Sequence, residues 1–212
     1  MIRCFLLFSL FLLIVSCGGE EEAIKTTLNK IKNYDDAQIV IDLLDKESID
    51  YFTEMAKTAA SNDEMKTRNF CDFYPHPLAS RYLLQTLALV SSDEEPATPV
   101  DLKDVIVIAT LADFGPLGFE NRNKYRFHEI SESSDIEATA IINYKAGKNT
   151  YVQSKVIFHN EDDVWKINYP STVSYFEKYL KKLYSQTGGS DRDFIQGVIA
   201  NGGKEVKMKY RK

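Results

Sequence analysis

Cysteine is scarce in this chain, with three in 212 residues, at positions 4, 17 and 71. Two of them bracket an apolar stretch at the start, which leaves Cys71 with no partner for an internal disulfide. No Cys/His cluster has the spacing of a zinc site, so neither a metal nor a cofactor is expected. Positive charge is not in excess either: 26 Lys and Arg stand against 31 Asp and Glu. That balance removes the electrostatic footprint of a nucleic-acid binder. Long hydrophobic runs are missing, for crossing a bilayer takes about 20 apolar helical residues and the longest run here holds about a dozen. Internal repeats, low-complexity tracts and paired catalytic motifs are also absent. Cys71 lies in Phe70-Cys71-Asp72-Phe73-Tyr74-Pro75-His76. With no oriented base in view, it reads as a small hydrophobe buried between aromatics rather than a nucleophile.

Aromatic residues are plentiful, with 12 Tyr and 12 Phe, enough to furnish a substantial core. The length suits one domain with extensions. The chain opens MIRCFLLFSLFLLIVSCGGEEE. Arg3 supplies a positive start, Cys4 to Val15 an apolar middle, and Ser16-Cys17 a small-residue end, which is the pattern of a cleaved export signal. It resembles the signal peptide and lipobox of bacterial lipoproteins. The resemblance implies that Cys17 receives a diacylglycerol, that the chain is cut before it, and that its new amine is acylated. Two or three acyl chains then hold the protein stably on a membrane, at ~0.8 kcal/mol per buried methylene. Gly18-Gly19-Glu20-Glu21-Glu22 reads as a flexible acidic tether, and it also resembles the surface-export signal of some lipoproteins. Gly18 in place of an aspartate after the cysteine favours the outer membrane of a bacterial envelope over the inner one. The expected organisation is a signal over 1–16, lipidated cysteine and tether over 17–22, an α+β domain over 23–187, and a short helix with a basic tail over 188–212.

The first half of that domain, 23–75, reads as helices. Ile24, Leu28 and Ile31 recur at helical spacing. Asp35 with Gln38 forms a capping box before the stripe Ile39, Leu43 and Leu44. Ser48 is the expected N-cap of a helix with Ile49, Phe52, Met55, Ala56 and Ala59 on one face, and the polar stretch 61–69 is a break. Leu78 to Val90 is a helix with Leu78, Tyr82, Leu83, Thr86, Leu87 and Val90 inward and Arg81 and Gln85 outward. Thr98-Pro99 starts the next helix, which takes in the β-branched run Val105 to Ala109 and stops at Gly115-Pro116. The period then becomes two. Ile136, Ala138, Ala140, Ile142 and Tyr144 share one face of a strand. Val152 to Phe158 make a second strand, and Trp165, Ile167 and Tyr169 project from a third. These form an antiparallel meander, joined by an earlier strand around Tyr125 to Ile130. Ser174 begins a helix with Tyr175, Tyr179, Leu180 and Leu183 inward. Gly188-Gly189 separates it from a short helix over 191–200, and the basic end, KEVKMKYRK, reads as an edge strand with charged gatekeepers.

Helices followed by a meander ending in Asp163-Val164-Trp165-Lys166-Ile167 resemble the nuclear transport factor 2-like, SnoaL-like superfamily over about residues 78–185. That family closes its sheet with an acidic–Gly–x–Trp–Lys–Ile strand, although Val164 departs from its usual glycine. The resemblance implies a curved antiparallel sheet wrapped around helices in a cone, with Trp165 as core. It also implies that an enzyme of this kind would carry Asp, His or Tyr inside the cone. The candidates are Asp113, His128, His159 and Tyr144.

The leading expectation is a non-enzymatic, lipid-anchored envelope protein that binds a small apolar ligand or a protein partner. An isomerase or dehydratase using a His/Asp pair is the competing reading. It requires His128 or His159 to line a cavity within hydrogen-bond reach of a carboxylate. A scaffold that docks partners through its N-terminal helices is the third.

Overall fold

The computed structural model describes residues 19–33, 36–61, 63–91, 101–112, 114, 125–145, 151–199, 203, 204 and 206. The expected signal peptide, Cys17 and Asp113 lie outside the described residues, as do the expected helix signals at Thr98-Pro99 and Gly115-Pro116. The architecture is α+β: N-terminal helices, a four-stranded antiparallel sheet, and a C-terminal helical part. Among the described residues no helix is long and apolar enough to cross a membrane.

Helix α1 (19–32) buries Ile24, Leu28 and Ile31, as its spacing requires, and it takes in Gly19 to Glu22, correcting the reading of those residues as a flexible tether. Helix α2 (Ala37–Asp42) is capped one residue later than expected, by Asp36, whose carboxylate accepts from Gln38 N. Ile39 is exposed, correcting its assignment to the apolar stripe, whereas Leu43 and Leu44 are buried just beyond the helix. There the backbone runs beside the sheet: Ile167 N donates to Leu43 O, and Asp45 N donates to Ile167 O.

Helix α3 (Lys46–Ser61) begins before Ser48, so that residue is not its cap. Asp45 Oδ1 accepts from Ser48 N at 2.8 Å, the bond an N-cap makes. Ser48 is buried and donates through Oγ to Ile167 O. The expected break at 61–69 is far shorter, because Asp63 accepts from Met65 N and Lys66 N and starts helix α4 (Glu64–Phe73). Helix α5 (Pro77–Ser91) has proline at its first position and buries Tyr82, Leu83, Leu84, Thr86, Leu87 and Val90. Helix α6 (Leu102–Leu111) is capped by Asp101. Its β-branched run is helical because burial of Val105, Ile106, Ile108 and Ala109 outweighs the small propensity deficit.

Strands β1 (Tyr125–Ser133), β2 (Glu137–Lys145), β3 (Tyr151–Glu161) and β4 (Val164–Asn168) lie in sequence order, each antiparallel to the next. Register puts Ala138 opposite Phe158 and Phe158 opposite Ile167, so these side chains share one face with Ala140, Val156 and Trp165. All are buried, and this is the core face. The alternation in β2 is not strict, since Thr139 and Ile141 are buried too while Ile136 is exposed. Asp162 and Asp163 close the β3–β4 hairpin with φ of 53° and 63°. Both residues sit in the left-handed region that a tight two-residue hairpin turn demands.

Tyr169 does not continue β4. It opens a helical turn, α7 (Tyr169–Thr172), capped by Asn168, whose side chain accepts from Ser171 N. Its ring is buried between Phe52 and Phe114. Helix α8 (Ser174–Gln186) is rotated relative to the expected face, with Tyr175 and Tyr179 exposed and Leu180 and Glu177 buried. The buried carboxylate explains the rotation, because Glu177 Oε2 accepts from Ala79 N in the first turn of α5. Beyond Gly188 and Gly189, both at positive φ, helix α9 (Asp191–Asp193) passes into a π-helical turn (Phe194–Ile199) that buries Phe194. Residues 204 and 206 are helical, which corrects the edge-strand reading there, and 207–212 lie outside the described residues.

Candidate functional site

The sheet separates two chemistries. Phe158 points into the core, so His159, its neighbour in an extended strand, projects from the opposite face. Glu137 and Lys166 pair directly across from His159 on β2 and β4. The bridge of residues 43–45 to β4 carries Asp45 to the edge of this polar face, where it is fully buried.

Among the described candidates, His159 is the one that the fold joins to a carboxylate from a distant part of the chain. Its Nδ1 lies 2.7 Å from Asp45 Oδ2, and its Nε2 lies 3.5 Å from Glu137 Oε2. The Asn168 amide donates to Asp45 Oδ2 at 2.9 Å and to Glu47 Oε2 at 2.6 Å. Asp45 is thus oriented on both oxygens, by Ser48 N on one and by Asn168 and His159 on the other. One ligand atom each from Asp45, Glu47 and His159 falls within 4.8 Å of the others, so these three could hold a metal ion.

A cleft of about 490 Å³ opens over this group, lined by Asp45, Lys46, Glu47, Asp50, Phe73, Tyr74, His159 and Glu161. Phe73 is 81% exposed at its rim and packs edge-on against Tyr74. The acidic character is felt by Tyr74, whose hydroxyl is held above its ordinary range by burial and then by Glu47, Asp50 and Glu54. Glu161 is held low. Burial opposes this, but the Lys46 N–H and the Lys166 ammonium outweigh it. Lys166 is therefore already paired, and the lining keeps an excess of carboxylates.

Of the other candidates, the described His128 is not drawn into this cleft. His128 sits on β1 with an exposed ring whose nearest carboxylate partner, 3.9 Å away, is the adjacent Glu129. Tyr144 lies in β2, with its side chain outside the described residues. A His/Asp pair does exist, but its aspartate is Asp45, and it sits on the sheet face away from the core. Asp45, Glu47 and Asn168 were not singled out from the sequence. The Asp45-x-x-Ser48 spacing of a helix cap was the available signal.

Cys71 lines a different cleft of about 360 Å³, with Arg81, Glu64 and Asp191. Desolvation pushes its thiol up to about 12, so it is inert at neutral pH, in keeping with the core role read from its aromatic neighbours. Arg81 is not simply outward-facing: it bonds Glu64 at 3.3 Å and Asp191 at 3.1 Å, tying α4 and α9 to α5. No family model matches this chain, and no curated protein matches it.

Proposed function

We propose that the protein is a lipid-anchored component of a bacterial envelope that binds, without chemical conversion, a positively charged ligand in the cleft around His159. The observation that carries this reading is the convergence of Asp45, Glu47, Asp50 and Glu161 beneath the aromatic rim of Phe73 and Tyr74. Carboxylates attract a cation, and an aromatic face adds roughly 0.5–1 kcal/mol at an exposed site. Of the ligand classes weighed from the sequence, an apolar molecule suits this lining least. A protein partner presenting lysine or arginine suits it well. The lipobox resemblance at Cys17 supplies the anchor.

An enzymatic reading has one observation in its favour, the 2.7 Å contact of Asp45 with His159. An aspartate that fixes the imidazole orientation is the arrangement of a general base. Here, however, the second ring nitrogen faces Glu137, which occupies the direction a substrate proton would need.

Calorimetric titration of the full chain with tetralysine tests the binding reading. Saturable, salt-sensitive binding that weakens when Glu47 and Asp50 are both changed to glutamine is the expected result. Binding that ignores those substitutions, or no binding at all, overturns it.

A further inference from the structure

The geometry points to a divalent transition-metal site formed by Asp45 Oδ2, Glu47 Oε2 and His159 Nδ1; this rests on the cation-binding reading of the same cleft and specifies the cation. Three observations carry it. The donor atoms come from two separate elements, the start of α3 and strand β3, yet lie within 4.8 Å of one another. The far side of the imidazole faces a carboxylate, Glu137, at 3.5 Å. A metal-bound histidine characteristically directs its other N–H to such a group, which fixes the ring and raises its basicity. Finally, the site opens into the cleft, so an ion has a route in.

The donor chemistry selects among metals. One imidazole with two carboxylates suits zinc or a neighbouring first-row ion, whereas magnesium and calcium prefer oxygen alone. A tetrahedral zinc ion with bonds near 2.0–2.1 Å spaces its ligands about 3.3 Å apart. Asp45 Oδ2 and His159 Nδ1, now at 2.7 Å, would have to separate by about half an ångström. Glu47 is exposed on the first turn of α3 and free to adjust. The Asn168 amide nitrogen now lies among all three donor atoms, 2.9 Å from Asp45 Oδ2, 2.6 Å from Glu47 Oε2 and 3.5 Å from His159 Nδ1. The ion needs that place, so on binding the Asn168 side chain turns its amide nitrogen out of the triangle, leaving one or more positions for water or a ligand from the cleft.

The test is titration of the chelator-treated full chain with ZnCl2, MgCl2 and tetralysine in parallel, by calorimetry. Zinc binds at one site and magnesium does not. His159→Gln and the surface variant Glu47→Gln each weaken zinc by about a hundred-fold or more, and Glu137→Gln weakens it about 10–100-fold by loosening the ring. Circular dichroism establishes that each variant is folded. Zinc binding unchanged in folded His159→Gln overturns the inference, as does equal affinity for magnesium. Tetralysine binding without zinc binding overturns the metal site while the cation-binding reading stands. Failure of both probes removes both.

Discussion

His159 and Asp45 meet at 2.7 Å through Nδ1 and Oδ2, joining strand β3 to the N-terminus of helix α3. The same carboxylate caps that helix through Ser48 N and receives the Asn168 amide. A single buried side chain thus holds the helix start, the sheet edge and the cleft wall in register.

Removing that side chain should be costly. Asp45→Ala loses a cap, typically about 1 kcal/mol, and leaves buried donors unpaired at about 1–3 kcal/mol. A total near ~2–4 kcal/mol is expected from urea denaturation. Asp45→Asn keeps one accepting oxygen for Ser48 N but turns an NH2 group towards the Asn168 amide, so it should recover the cap and only part of the total loss. Equal losses in the two variants would show that the cap oxygen contributes nothing.

Glu177 offers a parallel case in the core. It is 2% exposed and accepts from Ala79 N at 2.8 Å, capping α5 from another helix. Glu177→Ala should destabilise by about 1–3 kcal/mol by leaving that amide unpaired, and Glu177→Gln should recover most of it. Thermal denaturation of both variants is the check.

Much of this architecture was legible in the sequence, because periodicity reports burial directly. The stripe of α1, the inward set of α5 and the meander of β2 to β4 all follow from it. Helix starts were read less well. Ser48 has the chemistry of a cap, but the aspartate three residues earlier makes that bond, and Asp63 caps α4 inside the polar stretch that reads as a break. For α8 the spacing of Tyr175, Tyr179, Leu180 and Leu183 does not point to Glu177, which is buried against the N-terminus of α5. The site itself was half legible. His159 stood out as a titratable residue at a strand end, but its partners Asp45 and Glu47 reach it through tertiary contact alone, and no local pattern encodes that.

Cys71 should resist modification. Its thiol is buried and pushed up to about 12, so the reactive thiolate is scarce near neutral pH. Peptide-level mass spectrometry after iodoacetamide treatment should find Cys71 unlabelled in the native chain and labelled in urea. Rapid labelling without denaturant would contradict its placement.

His76 should make stability depend on pH. Burial holds its imidazole below the ordinary 6.5, with a hydrogen bond from the imidazole to the Ser171 backbone and nearby Glu177 opposing the shift and Lys181 adding to it. The unfolded chain therefore takes up the proton more readily than the folded one. This contribution is complete above 6.5 and is lost as pH falls from there through the lowered folded value. Urea midpoints measured downward from pH 7 should fall less steeply in His76→Gln than in the parent chain.

Membrane fractionation addresses the anchor. The parent chain should sediment with membranes and Cys17→Ala should be released, because removing the acyl chains removes the stable attachment. Retention of the variant would sink the lipid-anchor proposal.

The most direct test of the central claim, that the imidazole held between Asp45 and Glu137 is where the cation binds, is ¹⁵N NMR of the histidine side chains during titration with ZnCl2. The chain has three histidines, so each ring can be followed separately. A large change is expected at His159 Nδ1, the nitrogen beside Asp45, with His76 and His128 unmoved. Changes confined to the exposed His128, or none at His159, would contradict it.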